Sequence, residues 1–229
     1  MVDDDLKQGR TGLFITFEGG EGAGKTTQIQ LLKDYLGRQQ KRVIITREPG
    51  GTEEAEKIRD LLVDRNSNWT PVAETLLLFA ARAMHADKVI RPALRKGKTV
   101  ISDRFTDSTR VYQGMALGLG VDPVDQIREI SINSLEPDIT FIMDVNPETG
   151  RKRAQKRTVE TGEGDQKYEQ YETPFHDKLR QGYLKIAEKY PDRCIVINAE
   201  QPIEDIHNDI IGHLKHAMQN IGALEPHER

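Results

Sequence analysis

Short runs of apolar and β-branched residues alternate along this chain with longer stretches whose apolar positions fall three or four apart. Leu13 to Phe17, Val43 to Thr46, Thr99 to Ser102, Ile139 to Val145 and Cys194 to Asn198 read as strands, apolar enough to be buried on both faces. Thr26 to Gln40, Val72 to Ile90, Pro123 to Leu135 and Ile203 to Met218 carry the helical period. Strands separated in this way by helices predict an α/β fold, a parallel sheet covered by helices. Ligands of such sheets lie beyond the carboxyl ends of the strands, so the loops that follow the strands are where chemistry is expected.

No internal repeat or long linker interrupts the pattern, which predicts a single domain over residues 12–220 with polar tails at 1–11 and 221–229. One segment differs in composition. Residues 151–170 open with Arg151, Lys152, Arg153, Lys156 and Arg157 and run into Thr161-Gly162-Glu163-Gly164-Asp165, a composition that suits a mobile flap but by itself reads first as a solvated helix end followed by a loop.

Bulk numbers narrow the classes. A chain of 229 residues, 36% hydrophobic and 31% charged, fits one ordinary globular domain. Its 33 basic and 37 acidic side chains leave a net charge of −4, with no basic field to hold a nucleic acid backbone. The longest apolar run, Leu76 to Ala81, is far short of the roughly 20 residues a membrane span needs. Asp3, Asp4 and Asp5 stand where a secretory signal would be basic, so a cytoplasmic location is expected. Cys194 has no second cysteine to pair with and reads as a small buried hydrophobe in a reducing compartment.

Gly19-Gly20-Glu21-Gly22-Ala23-Gly24-Lys25-Thr26 matches the spacing G-x-x-x-x-G-K-[ST] between a strand and a helix. Its glycines let backbone N–H groups curl around phosphates at a helix N-terminus. Lys25 reaches the β and γ groups, Thr26 ligates magnesium, and Thr27 follows within the nucleoside triphosphate site. Asp103 ends the third strand, where a carboxylate holds magnesium directly or through water, and Arg104 beside it is suited to bridge the phosphates of two substrates. Arg47-Glu48-Pro49-Gly50-Gly51-Thr52, the pair Phe79 and Arg82, and Ser108-Thr109 leading to Tyr112-Gln113-Gly114 also follow strands or lie on the long helix, but their spacing alone fixes no role. The chain lacks the Asn-Lys-x-Asp guanine reader of a switch GTPase.

Phe17-Glu18-Gly19 with the P-loop, the Arg47 to Thr52 segment, Asp103-Arg104-Phe105-Thr106-Asp107-Ser108 and Tyr112-Gln113-Gly114 together resemble the bacterial thymidylate kinases, from about Leu13 to Met218. The resemblance implies a five-stranded parallel sheet of the nucleoside monophosphate kinase type and a homodimer. It also implies magnesium-dependent transfer of the γ-phosphoryl of ATP to dTMP, giving dTDP on the way to dTTP. It places Arg47, Arg59 and Arg82 around the monophosphate, Gln113 at the thymine edge, Ser108 and Thr109 beside the base, Pro49 in the pocket wall and Glu21 near the acceptor sugar and magnesium. The P-loop has Glu21-Gly22-Ala23 and no arginine, so the likeness is to members with basic lids, and Arg153 and Arg157 become the phosphoryl clamp. The lid motif Asp-Arg-x-Glu is Gln166-Lys167-Tyr168-Glu169 here, which leaves Glu169 as a further magnesium candidate, and Gln155 replaces a lid arginine of some members. The family's stacking phenylalanine stands four residues before the helix arginine, where this chain has Leu78. Phe79 stands three before Arg82 and is the ring candidate for the base, but one helical turn spans both positions and either can cover it.

Overall fold

A computed structural model of the chain describes residues 11–64, 66–133, 135–161, 171 and 173–223. Five strands, β1 (Phe14–Glu18), β2 (Val43–Arg47), β3 (Thr99–Asp103), β4 (Ile139–Asp144) and β5 (Cys194–Asn198), form one sheet in the order β2-β3-β1-β4-β5. Every neighbouring pair is parallel, with Phe17 opposite Asp103, Arg47 opposite Asp103, and Asp144 opposite Asn198. Each strand therefore ends in a charged or polar residue at one edge of the sheet: Arg47, Asp103, Glu18, Asp144 and Asn198.

The two faces follow the strand period of two. Ile15, Phe17, Ile101, Phe141 and Met143 pack on helices α1 (Lys25–Arg38) and α9 (Ile203–Ala223), whose buried stripe includes Leu32, Leu36, Ile210 and Leu214. On the other face Phe14 and Val100 meet α3 (Pro71–His85), α4 (Arg91–Arg95) and α6 (Val121–Ile132). Ile142 and Cys194 meet α8 (Thr173–Lys189) through Leu179, Tyr183 and Ile186. Burial on both faces holds for β1, β3 and most of β4. The edge strands differ from the expectation, with Ile45 of β2 and Val196 of β5 open to solvent. Cys194 is buried, and desolvation pushes its thiol up to about 12, as suits a packing residue.

Local chemistry sets the helix boundaries. Thr70 caps α3 by accepting from the Ala73 N–H, and Pro71 opens the helix, where its missing N–H costs nothing. The helix expected to stop at Ile90 passes through a π turn at Ala86–Ile90 and continues to Arg95; the wider turn precedes Pro92, which cannot donate. Thr52 caps α2 (Glu53–Val63), which has too few spaced apolar residues to stand out in sequence. A short helix α5 (Thr106–Thr109) runs into a second π turn at Arg110–Ala116. The basic segment taken for a flap is helical over its first part, within α7 (Pro147–Thr161), while residues 162–170 lie outside the described residues. The last helix also runs past the boundary expected at 220, as α9 continues to Ala223.

Candidate active site

The P-loop leaves β1 and turns into α1 through glycines in left-handed conformations, Gly22 at φ 68° and Gly24 at φ 86°. Gly22 has a second reason to lack a side chain: a Cβ there would lie 2.0 Å from the Gly150 carbonyl oxygen of α7, and one on Gly150 would lie 2.5 Å from the Glu21 carbonyl. The loop and α7 thus touch backbone to backbone, with no room for an arginine at position 22. The Lys25 ammonium donates to the Gly19 and Gly20 carbonyls at 3.1 Å each. Burial, reinforced by the Arg104 charge, holds its pKa below the usual lysine range. The Thr26 hydroxyl donates to the Asp103 carboxylate at 3.3 Å across the β1–β3 gap. One hydroxyl and one carboxylate are hard oxygen donors, which fits a magnesium ion that takes few protein oxygens and completes its shell with water and phosphate.

Two cavities meet above the sheet edge. A long open cleft follows the P-loop from Gly22 to Thr27 and continues to Gln201 and Ile203. Beside it lies a smaller pocket, apolar-walled with a few convergent polar groups, as small-ligand sites are. Glu21, Glu48 and Arg104 line both. Arg104 has a left-handed backbone, φ 69°, and its guanidinium donates to the Gly19 carbonyl at 3.1 Å, Ser108 at 3.1 Å, Tyr183 at 3.0 Å, Glu21 at 2.7 Å and Tyr112 at 3.2 Å. A cation so held stands between the two cavities with its charge already oriented.

The smaller pocket has apolar walls from Pro49, Leu62, Val63, Leu78 and Phe105, and polar groups from Ser108, Thr109, Gln113 and Arg82. Arg82 is anchored at its floor. Its Nε donates to Glu48 at 2.6 Å and its Nη2 to the Phe105 carbonyl and Thr109 at 3.2 and 3.0 Å, while the buried Nη1 has no hydrogen-bond partner among the described residues. Glu48 in turn bonds His85 Nδ1 at 2.8 Å, and His85 Nε2 bonds the Thr46 hydroxyl at 2.6 Å. Burial alone would raise the Glu48 pKa, but Arg82 and His85 outweigh it and hold the carboxyl below the usual range.

The predicted residues divide accordingly. Glu21, Pro49, Arg82, Ser108, Thr109 and Gln113 come together in the smaller pocket. Arg47 and Arg59 lie on the adjoining wall of the long cleft, the first paired with Glu56 at 3.1 Å and the second donating to the Pro49 carbonyl at 3.0 Å. Phe79 is a correction: it is 1% exposed, packs in the core with Phe14 and Ile90, and supports the Arg82 guanidinium 4.5 Å from its ring centroid. One residue along a helix turns the side chain by about 100°, so it is Leu78 that faces the pocket. Arg153 lines the long cleft and donates to the Ala199 carbonyl at 2.9 Å. Arg157 falls on α7 with its side chain outside the described residues, and Glu169 lies outside them altogether. Sequence reasoning gave no role to Glu18 or Tyr183, which bond the same segment as Arg104. A carboxylate closing a buried strand was the available signal for Glu18.

A thymidylate kinase family model matches residues 17–210. A thymidylate kinase of Lactobacillus helveticus is 44% identical over 212 residues, spanning 92% of this chain and 99% of its own. One of Caulobacter vibrioides is 45% identical over 196 residues, 85% of this chain and 92% of its own. The crystal structure of the Ehrlichia chaffeensis thymidylate kinase superposes with a TM-score of 0.71 at 36% identity, covering 89% of this chain and 98% of that one. The family match over most of the chain, at these identities and coverages, shows that the chain belongs to the thymidylate kinase family of ATP-dependent P-loop phosphotransferases.

Proposed function

We propose that the long cleft binds ATP, the smaller pocket binds dTMP, and Arg104 draws the two phosphate chains together for transfer of the γ-phosphoryl. The observation that carries this assignment is the shared wall: Glu21 and Arg104 face both cavities, and nothing else as basic stands between them among the described residues. The acceptor is already an anionic phosphate oxygen, so no covalent nucleophile is required and the work is positioning and charge neutralisation. The P-loop N–H groups and Lys25 hold the β and γ groups, Arg47 and Arg59 steady the acceptor phosphate, and Arg153 and Arg157 close on the transferring group and exclude water. Thr26 and Asp103 would hold a magnesium ion, which neutralises charge on the β and γ oxygens when bound, with Glu169 a candidate to complete its setting. The orphaned Nη1 of Arg82 supports a carbonyl acceptor in the ligand, as a thymine ring offers, and Leu78, Pro49 and Phe105 suit its apolar faces and methyl.

A homodimer is part of this reading. Val72 and Leu76 lie one turn apart on α3 and are about half exposed, as is Leu61 on the neighbouring α2, an apolar face that a second copy would cover. A cytoplasmic enzyme is consistent with no helix among the described residues being long and apolar enough to cross a membrane. The test is acceptor competition. Purified protein with ATP and magnesium is expected to convert dTMP to dTDP; faster phosphorylation of thymidine or AMP would overturn the acceptor assignment.

A further inference from the structure

Glu18 closes β1 immediately before the P-loop and is fully buried. No cation bonds it among the described residues. Its carboxylate accepts from the Phe105 N–H at 2.8 Å, the Ser108 hydroxyl at 2.6 Å and, more distantly, the Tyr183 hydroxyl at 3.4 Å. Burying a carboxylate against neutral donors is costly, so the arrangement calls for a purpose.

All three donors belong to the setting of Arg104. Phe105 is the next residue, and its N–H is the group whose direction a left-handed Arg104 backbone changes most; a non-glycine residue rarely adopts that conformation unaided. The Arg104 N–H donates to the Phe17 carbonyl at 2.9 Å and its carbonyl accepts from Ser102 at 2.8 Å, so with Glu18 on Phe105 the peptides on both sides are tied. Ser108, whose proton points to Glu18, bonds the Tyr183 hydroxyl at 2.9 Å, and both present their oxygens to Nη1 of Arg104, at 3.1 and 3.0 Å. The carboxylate thereby dictates which way those hydroxyls face.

We propose that Glu18 is a positioning residue for phosphoryl transfer: through the Phe105 N–H and the shared hydroxyls of Ser108 and Tyr183 it aims the Arg104 guanidinium across the mouth between the two cavities. The proposal rests on Arg104 being the bridge between donor and acceptor. A glutamine at position 18 keeps the volume and the bond from Phe105, but it turns an N–H₂ toward the hydroxyls. They must then rotate and compete with Arg104 for the same space.

The experiment is a double-mutant cycle on the full chain, with ATP and dTMP as substrates and folding followed by near-UV circular dichroism. Glu18→Gln is expected to lower kcat about 30-fold, the scale of a small misplacement of a reacting group, with KM for ATP within about twofold. In an Arg104→Ala background the same substitution is expected to change kcat less than about twofold. Equal losses in both backgrounds would show that Glu18 acts independently of Arg104 and overturn the proposal, as would an unchanged kcat for Glu18→Gln alone. Should that variant not fold, Tyr183→Phe removes one shared hydroxyl and is read through the same cycle. An Arg104→Ala enzyme that keeps full kcat would instead defeat the bridging role of Arg104, a failure separate from the other two.

Discussion

The proposed acceptor pocket and the proposed donor cleft share Glu21, Glu48 and Arg104, yet they are built by opposite means. In the acceptor pocket the charges are buried and bonded to one another before any ligand arrives: Arg82 to Glu48, Glu48 to His85, His85 to Thr46, with Phe79 beneath. Along the donor cleft the charges are held by main-chain carbonyls, as with Lys25 on Gly19 and Gly20 and Arg153 on Ala199. A pocket that must tell one flat base from another needs fixed donors, because a displaced donor discriminates poorly. A cleft that grips a flexible triphosphate and then releases it is better served by cations that give up weak contacts on binding. Recognition and stability should therefore be coupled on one side and separable on the other.

Lys25→Met tests the separable side most severely. It is expected to lower kcat by about 10³-fold, the upper range for losing one charge-stabilising donor, without lowering Tm, because the ammonium it removes is buried at an energetic cost. A large fall in Tm would break the contrast. Glu48→Gln tests the coupled side: it strands the Arg82 guanidinium, 2% exposed, and is expected to cost about 3 kcal/mol in denaturant unfolding while raising KM for dTMP. Loss of stability with KM unchanged would mean that Arg82 only props the fold. Arg153→Ala is expected to lower kcat about tenfold, roughly 1.4 kcal/mol of barrier, at constant Tm; the same should hold for Arg157→Ala, and unchanged turnover in both would dismiss the lid clamp.

The smallest effect is one of pH. Desolvation, then the nearby Asp107 charge, pushes the Glu18 carboxyl from an ordinary 4.5 up to about 7, against the pull of Ser108 and Arg104. Lys25 on α1 and Tyr183 on α8 also feel its charge. A raised folded pKa means that the native state holds the proton more tightly than the unfolded chain, so this group's contribution is present at low pH and fades as pH rises toward 7. Glu18→Gln should therefore be more stable than the parent at pH 8 and close to it at pH 5, by a few degrees in Tm. The opposite ordering would place the buried charge elsewhere.

How much of this was legible follows from what each feature depends on. The P-loop could be read because its glycines and lysine encode a backbone shape at one place in the chain. Asp103 and Arg104 could be read because strand polarity fixes where a strand-end residue faces. Phe79 and Leu78 could not be separated, since the rotation of α3 is set by the Arg82 to Glu48 bond, made across 34 positions of sequence. Tyr183 meets Glu18 from 165 positions away, which no local pattern reveals. The extent of the basic helix α7 was harder to read for a different reason. Its exposed face is polar almost throughout, so the period of 3.6 has few apolar positions to mark it.

The backbone contact between Gly22 and Gly150 has a mechanical consequence. With no side chains between them, the loop that holds the donor is also the bearing on which the basic helix rests. Arg157 stands seven residues farther out, a lever arm of about 10 Å at 1.5 Å per residue. A tilt of about 20° around that bearing sweeps the arginine's backbone through roughly 4 Å, enough to make or break a phosphate contact while the pivot barely moves. A side chain at either position would clash across that contact and push loop and helix apart.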